Sequence, residues 1–189
     1  MTSDTLYRVK KEDFPKLEQL LIKCFEKDPL YVSMIPDEDI RKRLMPELFK
    51  CDLNEFYETC EIFADSEDIN GILVVSDEAE PYNMVHFYLS EALAELRTDG
   101  YLLKEDPSMK TLKNCIIGRD YLNSSWTDHG IAAKLIGEVV NYADKHKMMI
   151  SLETHNPKNV DMYKHFGFQM YDTIQKHFGL TQYCMIKQA

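Results

Sequence analysis

Glycine is scarce in this sequence, and the motifs that build nucleotide sites from glycine are missing. Only 7 of the 189 residues are glycine, and neither G-x-x-x-x-G-K-[ST] nor G-x-G-x-x-G occurs. A loop that wraps a nucleotide by glycine alone is therefore not predicted. The G-x-S-x-G and H-E-x-x-H signatures are also absent, so the sequence offers neither a hydrolase nucleophile elbow nor a helical zinc-protease site.

Cysteine and histidine are poorly placed for a metal site. The 5 cysteines are scattered and contain no C-x-x-C pair, and the 6 histidines show no i, i+3 or i+4 spacing. We therefore expect no metal centre. The thiols are expected to be reduced and mostly buried, as in a cytoplasmic protein.

Long apolar runs are missing as well. No stretch approaches the roughly 20 apolar residues of a membrane span. The first residues, MTSDTLYRVKKEDF, lack the apolar region of a signal peptide. A protein that neither enters a membrane nor is secreted is the expectation.

Basic residues are outnumbered by acidic ones. The chain has 22 Lys and Arg against 32 Asp and Glu, which gives a net charge of -10. Such a surface repels phosphate backbones, so no nucleic-acid partner is expected, whereas cationic ligands are tolerated. The 44% hydrophobic content is ordinary for a globular chain. Its length fits one domain over residues 1–189.

Apolar spacing predicts two helices and a hairpin in the first half. Helical spacing starts at Phe14 and recurs to Phe25, and a second amphipathic helix is predicted over about Asp37–Asp52. The segment Asp28–Pro36, bracketed by two prolines, is predicted to be a loop. Glu61–Ala64 and Gly71–Ser76 are predicted to form an antiparallel hairpin.

The second half alternates between strands and helices. One helix is predicted over Gly130–Lys147, because apolar residues recur there every four positions. The predicted strands are Cys115–Leu122, Met148–Glu153, Phe168–Tyr171 and Tyr183–Ile186. With the hairpin, these elements indicate an α+β fold, a mixed sheet flanked by helices.

Two local patterns suggest a binding site. The loop Trp126–Ala133 leads into a helix through Gly130, Ala132 and Ala133, which carry little bulk. A pyrophosphate is well placed at such a helix start, although close packing explains the same residues.

The second pattern follows the strand Met148–Glu153. Asn156 is placed to cap a helix, Pro157 suits its first position, and Gly167 suits the residue after its end. On this helix Asn159 and Tyr163 are four residues apart and share one face. They are suited to hold an amide-rich ligand and to deliver a proton; in the alternative, Tyr163 only packs and Asn159 is only exposed.

Together these patterns resemble the acyl-CoA-binding half of the GCN5-related N-acetyltransferases, the GNAT superfamily. That family has a loop of pattern [QR]-x-x-G-x-[GA] and a later helix that ends in N-x-x-x-Y-x-x-x-G-F. Here the loop is Thr127-Asp128-His129-Gly130-Ile131-Ala132, and the later segment runs from Asn159 through Tyr163 to Gly167-Phe168. The loop departs from the pattern at Thr127, where Gln or Arg is usual. The resemblance covers about residues 115–189.

The resemblance implies a three-layer fold whose central sheet splays open, here between Cys115–Leu122 and Met148–Glu153. Acetyl-CoA would lie in the gap, and a primary amine would attack its thioester directly, without a metal. The residues implied in acetyl-CoA binding are the backbone of Leu122 and Asn123, the loop residues Thr127, Asp128, His129, Gly130, Ile131, Ala132 and Ala133, and Asn159. Tyr163 would protonate or hydrogen-bond the departing thiolate.

The remaining roles are open at the level of sequence. Asp120 and Glu153, both near strand ends, are the candidates for the base that takes the ammonium proton. Phe25, Tyr31, Met34 and Ile35 are interpreted either as lining of the acceptor pocket or as core. The acceptor would be a small-molecule or peptide amine, and a homodimer stays open. The alternative function is a catalytically degraded domain of this type that binds CoA or regulates a partner.

Overall fold

The first sheet comes from the N-terminal half and from one strand further along the chain. The computed structural model describes residues 1–76, 93, 96–98, 123–126, 129–175 and 179–188. Four strands pair antiparallel in the order β1-β2-β3-β4. They are β1 (Tyr7–Arg8), β2 (Glu61–Ala64), β3 (Gly71–Val75) and β4 (Asn123–Trp126).

The second sheet is formed by the C-terminal strands. Its order is β5-β7-β6, again antiparallel. The strands are β5 (Ile150–Thr154), β6 (Gln169–Gln175) and β7 (Thr181–Lys187). In the described part of the chain, no ladder hydrogen bonds join β4 to β5.

Five α-helices are described in addition to a short 3-10 turn at Lys11–Asp13. They are α1 (Phe14–Phe25), α2 (Pro29–Met34), α3 (Glu38–Thr59), α4 (His129–His146) and α5 (Pro157–His165). None of the helices in the described ranges is long and apolar enough to cross a bilayer.

The first sheet is buried on both faces, which makes the fold three-layered. Along β2 and β3, Phe63 and Leu73 point into a core with α4 and α5, whereas Ile62 and Ile72 point into a core with α1 and α3. Alternating side chains thus serve two cores, so β3 and the last three residues of β2 are apolar. The α4–α5 core also contains Leu152 of β5 and Met185 of β7, and so it unites the two sheets.

The predicted loop over Asp28–Pro36 is wrong, because its centre is the helix α2. The Asp28 side chain accepts a hydrogen bond from the Leu30 N–H at 2.9 Å, and Pro29 takes the first helical position. The Asp-Pro pair therefore starts a helix. Ile35 is fully buried, and the Phe25 and Tyr31 rings pack on each other with centroids 5.6 Å apart. These contacts favour the core interpretation of this region.

Arg41 fixes the junction between α1, α2 and α3. The residue is 8% exposed, and its guanidinium donates to the carbonyl oxygens of Glu26 at 3.0 Å, Ile35 at 2.7 Å and Pro36 at 3.2 Å. These oxygens lie at the ends of α1 and α2, where backbone acceptors lack helical partners.

Candidate active site

The start of α4 presents little bulk to solvent. Gly130 and Ala133 are exposed, whereas Ala132 is 1% exposed and faces the core. Lys134 is held nearby, since its Nζ donates to the Asp65 carbonyl oxygen at 2.6 Å. The helix begins at His129, one residue before its predicted start. This small-residue surface lies at the positive end of an 18-residue helix, which is a favourable place for an anion.

Thr154, at the end of β5, organises the junction with α5. Its hydroxyl oxygen accepts from the backbone N–H of Asn156 at 3.2 Å and from the side-chain amide of Asn159 at 3.4 Å. The Asn156 side chain in turn accepts from the Lys158 N–H at 3.1 Å and caps the helix. The amide of Asn159 is thereby turned towards the strand end. Sequence reasoning missed Thr154. Its position, two residues before the capping residue Asn156, is the local feature that could have drawn attention to it.

Tyr163 lies on the inner face of α5. It is 4% exposed, and its ring meets that of Phe168 edge-on, with centroids 5.8 Å apart. Asn159, one turn earlier, is partly buried, so the two side chains share a helix face as predicted. The ring is part of the α4–α5 core.

Glu153 lies on the opposite face of β5 from the core residue Leu152. Its carboxylate accepts hydrogen bonds from the side-chain amide of Gln182 and from the Cys184 thiol, whose Sγ lies 3.9 Å from Oε1. Both donors belong to β7, the neighbouring strand. Glu153 thus has a defined orientation, which sequence reasoning did not anticipate.

His155 adds a titratable group next to this junction. The imidazole is partly buried, and burial lowers its pKa from the ordinary value. At neutral pH the ring is therefore uncharged, a form that is able to accept a proton.

Several predicted site residues fall beyond the described residues. These are Asp120, Leu122, Thr127 and Asp128, together with the rest of the predicted strand Cys115–Leu122. Asn123 is placed as the first residue of β4, and His129 as the first of α4. Within the described ranges, no group of three or more His, Cys, Asp or Glu side chains is arranged to hold a metal ion.

Comparison with known families decides what this architecture is. The profile of the acetyltransferase (GNAT) family matches residues 38–168, more than half of the chain. The protein belongs to this GNAT acetyltransferase family. The match runs from α3 through α4 to the end of the Tyr163 motif, and the predicted family resemblance and fold class are confirmed. No relative was found among curated proteins.

Solved structures agree with the GNAT assignment. A Corynebacterium glutamicum structure described as histone acetyltransferase HPA2 and related acetyltransferase superposes with a TM-score of 0.65. The two chains are 19% identical, and the alignment covers 100% of this chain and 98% of that one. At this identity the similarity establishes the fold.

Two further GNAT-fold structures are named for their amine substrates. An agmatine N-acetyltransferase mutant in its apo form aligns at a TM-score of 0.51 and 11% identity, over 98% of this chain and 100% of that one. The Drosophila melanogaster polyamine N-acetyltransferase aligns at a TM-score of 0.51 and 12% identity, over 97% of this chain and 99% of that one. Both share the fold with this GNAT protein.

Proposed function

We propose that the protein transfers an acetyl group from acetyl-CoA to a primary amine by direct attack of the neutral amine on the thioester. The observation that carries this proposal is the GNAT family match, which includes both the α4 start and the α5 motif. Both helices pack into one core with β5, which supports assigning the two motifs to one site.

The α4 start suits the pyrophosphate of acetyl-CoA. Gly130 and Ala133 are exposed and have small side chains or none, so an anion is able to approach the backbone closely at the positive end of the helix. Backbone groups over residues 127–133 would hold the pyrophosphate. The backbone of Leu122 and Asn123 and the side chain of Asn159 would hold the pantetheine arm.

Tyr163 is proposed as the acid that donates to the thiolate leaving group. It follows Asn159 on the inner face of α5, so one helix face would both hold the arm and protonate its sulfur. Glu153 is proposed to bind the ammonium of the acceptor and to accept its proton. Asp120 is the other candidate for this base.

A cationic primary amine is the proposed acceptor. The net charge of -10 attracts cations, and Glu153 and Asp172 both lie on the polar face of the second sheet. The fold is shared with enzymes named for agmatine and polyamines, which fits an acceptor of this class. The four cysteines in the described ranges are free thiols, which supports a cytoplasmic location.

Thiol release with a panel of amines tests the proposal. Purified protein is incubated with acetyl-CoA and each amine in turn, and free CoA thiol is measured against a no-amine control. Amine-dependent release, greatest for di- and polyamines, is expected. Thermal melting with acetyl-CoA provides an independent readout, because a ligand at about 100 times its Kd stabilises by about 2.7 kcal/mol. A melting shift without thiol release would reduce the function to CoA binding.

A further inference from the structure

Three strands of the second sheet place a polar cluster on the face opposite the α4–α5 core. Cys184 of β7 is directly opposite Glu153 on β5 and Asp172 on β6. Directly opposed residues share a face. A register shift in β6 lies between Met170 and Asp172, and Tyr171 at this irregularity is hydrogen-bonded to Cys184.

Gln182 lies two residues before Cys184 on β7 and therefore shares its face. Its side-chain amide donates to Oε2 of Glu153, and the Cys184 thiol donates to Oε1. Each carboxylate oxygen is thus held from β7 by a different donor. Two-point contact of this kind fixes the plane of the carboxylate as well as its position.

We infer that Gln182 is a positioning residue that orients the Glu153 carboxylate towards the acceptor amine. The inference rests on the proposed function, in which Glu153 binds the ammonium and takes its proton. An N–H donor that contacts the charged form of a carboxylate stabilises that form. The Gln182 contact therefore favours the carboxylate form of Glu153, which is the form that binds a cation.

The other titratable groups on this face are Cys184, Tyr171 and Asp172. Burial raises the pKa of the Cys184 thiol, and Glu153 and Asp172 raise it further. Burial also raises the pKa of the Tyr171 hydroxyl, with added contributions from Cys184 and Glu153. Both groups are therefore neutral at pH 7, and the Asp172 carboxylate opposes a second negative charge. The Gln182 amide donates to Glu153 on this face and so offsets the crowding of carboxylates.

The test replaces Gln182 by a side chain of similar length without a donor, Gln182→Met. Gln182→Thr, a strand-forming substitution too short to reach Glu153, serves as the second variant. Gln169→Met, at an exposed position of β6, is the matched control. The Glu153 carboxyl is titrated by 13C NMR, with the signal assigned by its loss in Glu153→Gln, and kcat/KM is measured against pH with a diamine.

In either Gln182 variant we expect the titration midpoint of Glu153 to shift to higher pH by about one unit. The acidic limb of the pH profile of kcat/KM should shift to higher pH by the same amount. Gln169→Met should leave both unchanged. An unchanged Glu153 midpoint would overturn the inference, and so would a shifted midpoint with an unmoved acidic limb. Absence of turnover in the wild-type protein would be a failure of the proposed function itself, and it is seen before any variant is made.

Discussion

The substitution Tyr163→Phe separates the catalytic role of Tyr163 from its packing role. The change keeps the buried ring and its edge-on contact with Phe168, and it deletes only the hydroxyl. The stability loss should therefore be confined to about 1 kcal/mol, the contribution of one hydrogen bond. For a chain of this size that corresponds to a decrease of about 2–4 °C in Tm.

The expected effect on turnover is far larger. A thiolate with a pKa of about 8.5, by analogy with cysteine, departs more readily when a phenol donates to it. Loss of a general acid lowers kcat by about 10²–10⁴-fold, which corresponds to about 2.7–5.4 kcal/mol of transition-state stabilisation. Acetyl-CoA affinity should change little, since the ring and the α5 backbone remain in place.

The assay measures kcat by thiol release and Tm by thermal melting in the same preparations. Tyr142→Phe is the matched control, because Tyr142 also loses only a hydroxyl and its ring packs on His146 near the far end of α4. The control should keep wild-type kcat. A decrease in kcat of less than about threefold in Tyr163→Phe would refute the acid role and leave Tyr163 as a core residue.

Three further predictions concern the α4 start, the Arg41 junction and His155. Gly130→Glu should abolish the melting shift with acetyl-CoA, because the new side chain adds bulk and negative charge at the proposed pyrophosphate site. The control Gly137→Glu should keep the shift, since an added Cβ at this α4 position meets no atom within 4 Å. A normal shift in Gly130→Glu would place the pyrophosphate elsewhere. Arg41→Met should lower the free energy of unfolding in urea by about 2 kcal/mol or more, because carbonyl oxygens at the ends of α1 and α2 lose their donor; a loss below about 0.5 kcal/mol would contradict this account. Burial lowers the pKa of His155 in the folded protein, so as the pH falls the imidazole is protonated in the unfolded chain before it is protonated in the folded one. The free energy of unfolding should therefore decrease as the pH falls below about 6.5, and it should level off below the pKa of the folded state. His155→Gln should remove that part of the pH dependence in urea unfolding, and an identical slope would show that His155 does not cause it.

Helix ends and turns could be predicted from the sequence where individual residues favour one backbone conformation. The α5 helix was predicted at both ends, since Asn156 caps it, Pro157 starts it and Gly167 follows it with φ of 88°. Only glycine adopts that left-handed conformation without strain. The hairpin β2–β3 was predicted because apolar runs flank a short polar segment.

Elements that depend on distant partners were not predictable from local sequence. The sequence of β4, NSSW, lacks apolar alternation, and the strand exists because β3 pairs with it along Gly71–Val74. The helix α3 continues to Thr59, beyond the predicted Asp52, since Leu53 is 1% exposed in the α1–α3 core.

In the candidate site, too, contacts within one helix could be predicted from the sequence, whereas contacts between strands could not. Tyr163 and Asn159 lie on one helix, so their spacing alone places them on a common face. The contact of Glu153 with Gln182 joins residues 29 positions apart through the β5–β7 pairing. No local pattern marks such a pair, because its register depends on the assembled sheet.

The most direct test of the account is a mass-spectrometric measurement of the products from acetyl-CoA and a primary diamine. The account predicts N-acetylated diamine and free CoA in equal amounts, formed at a rate proportional to protein concentration. Free CoA without acetylated amine, or no product from any amine although acetyl-CoA raises the Tm, would contradict acetyl transfer as the function of this chain.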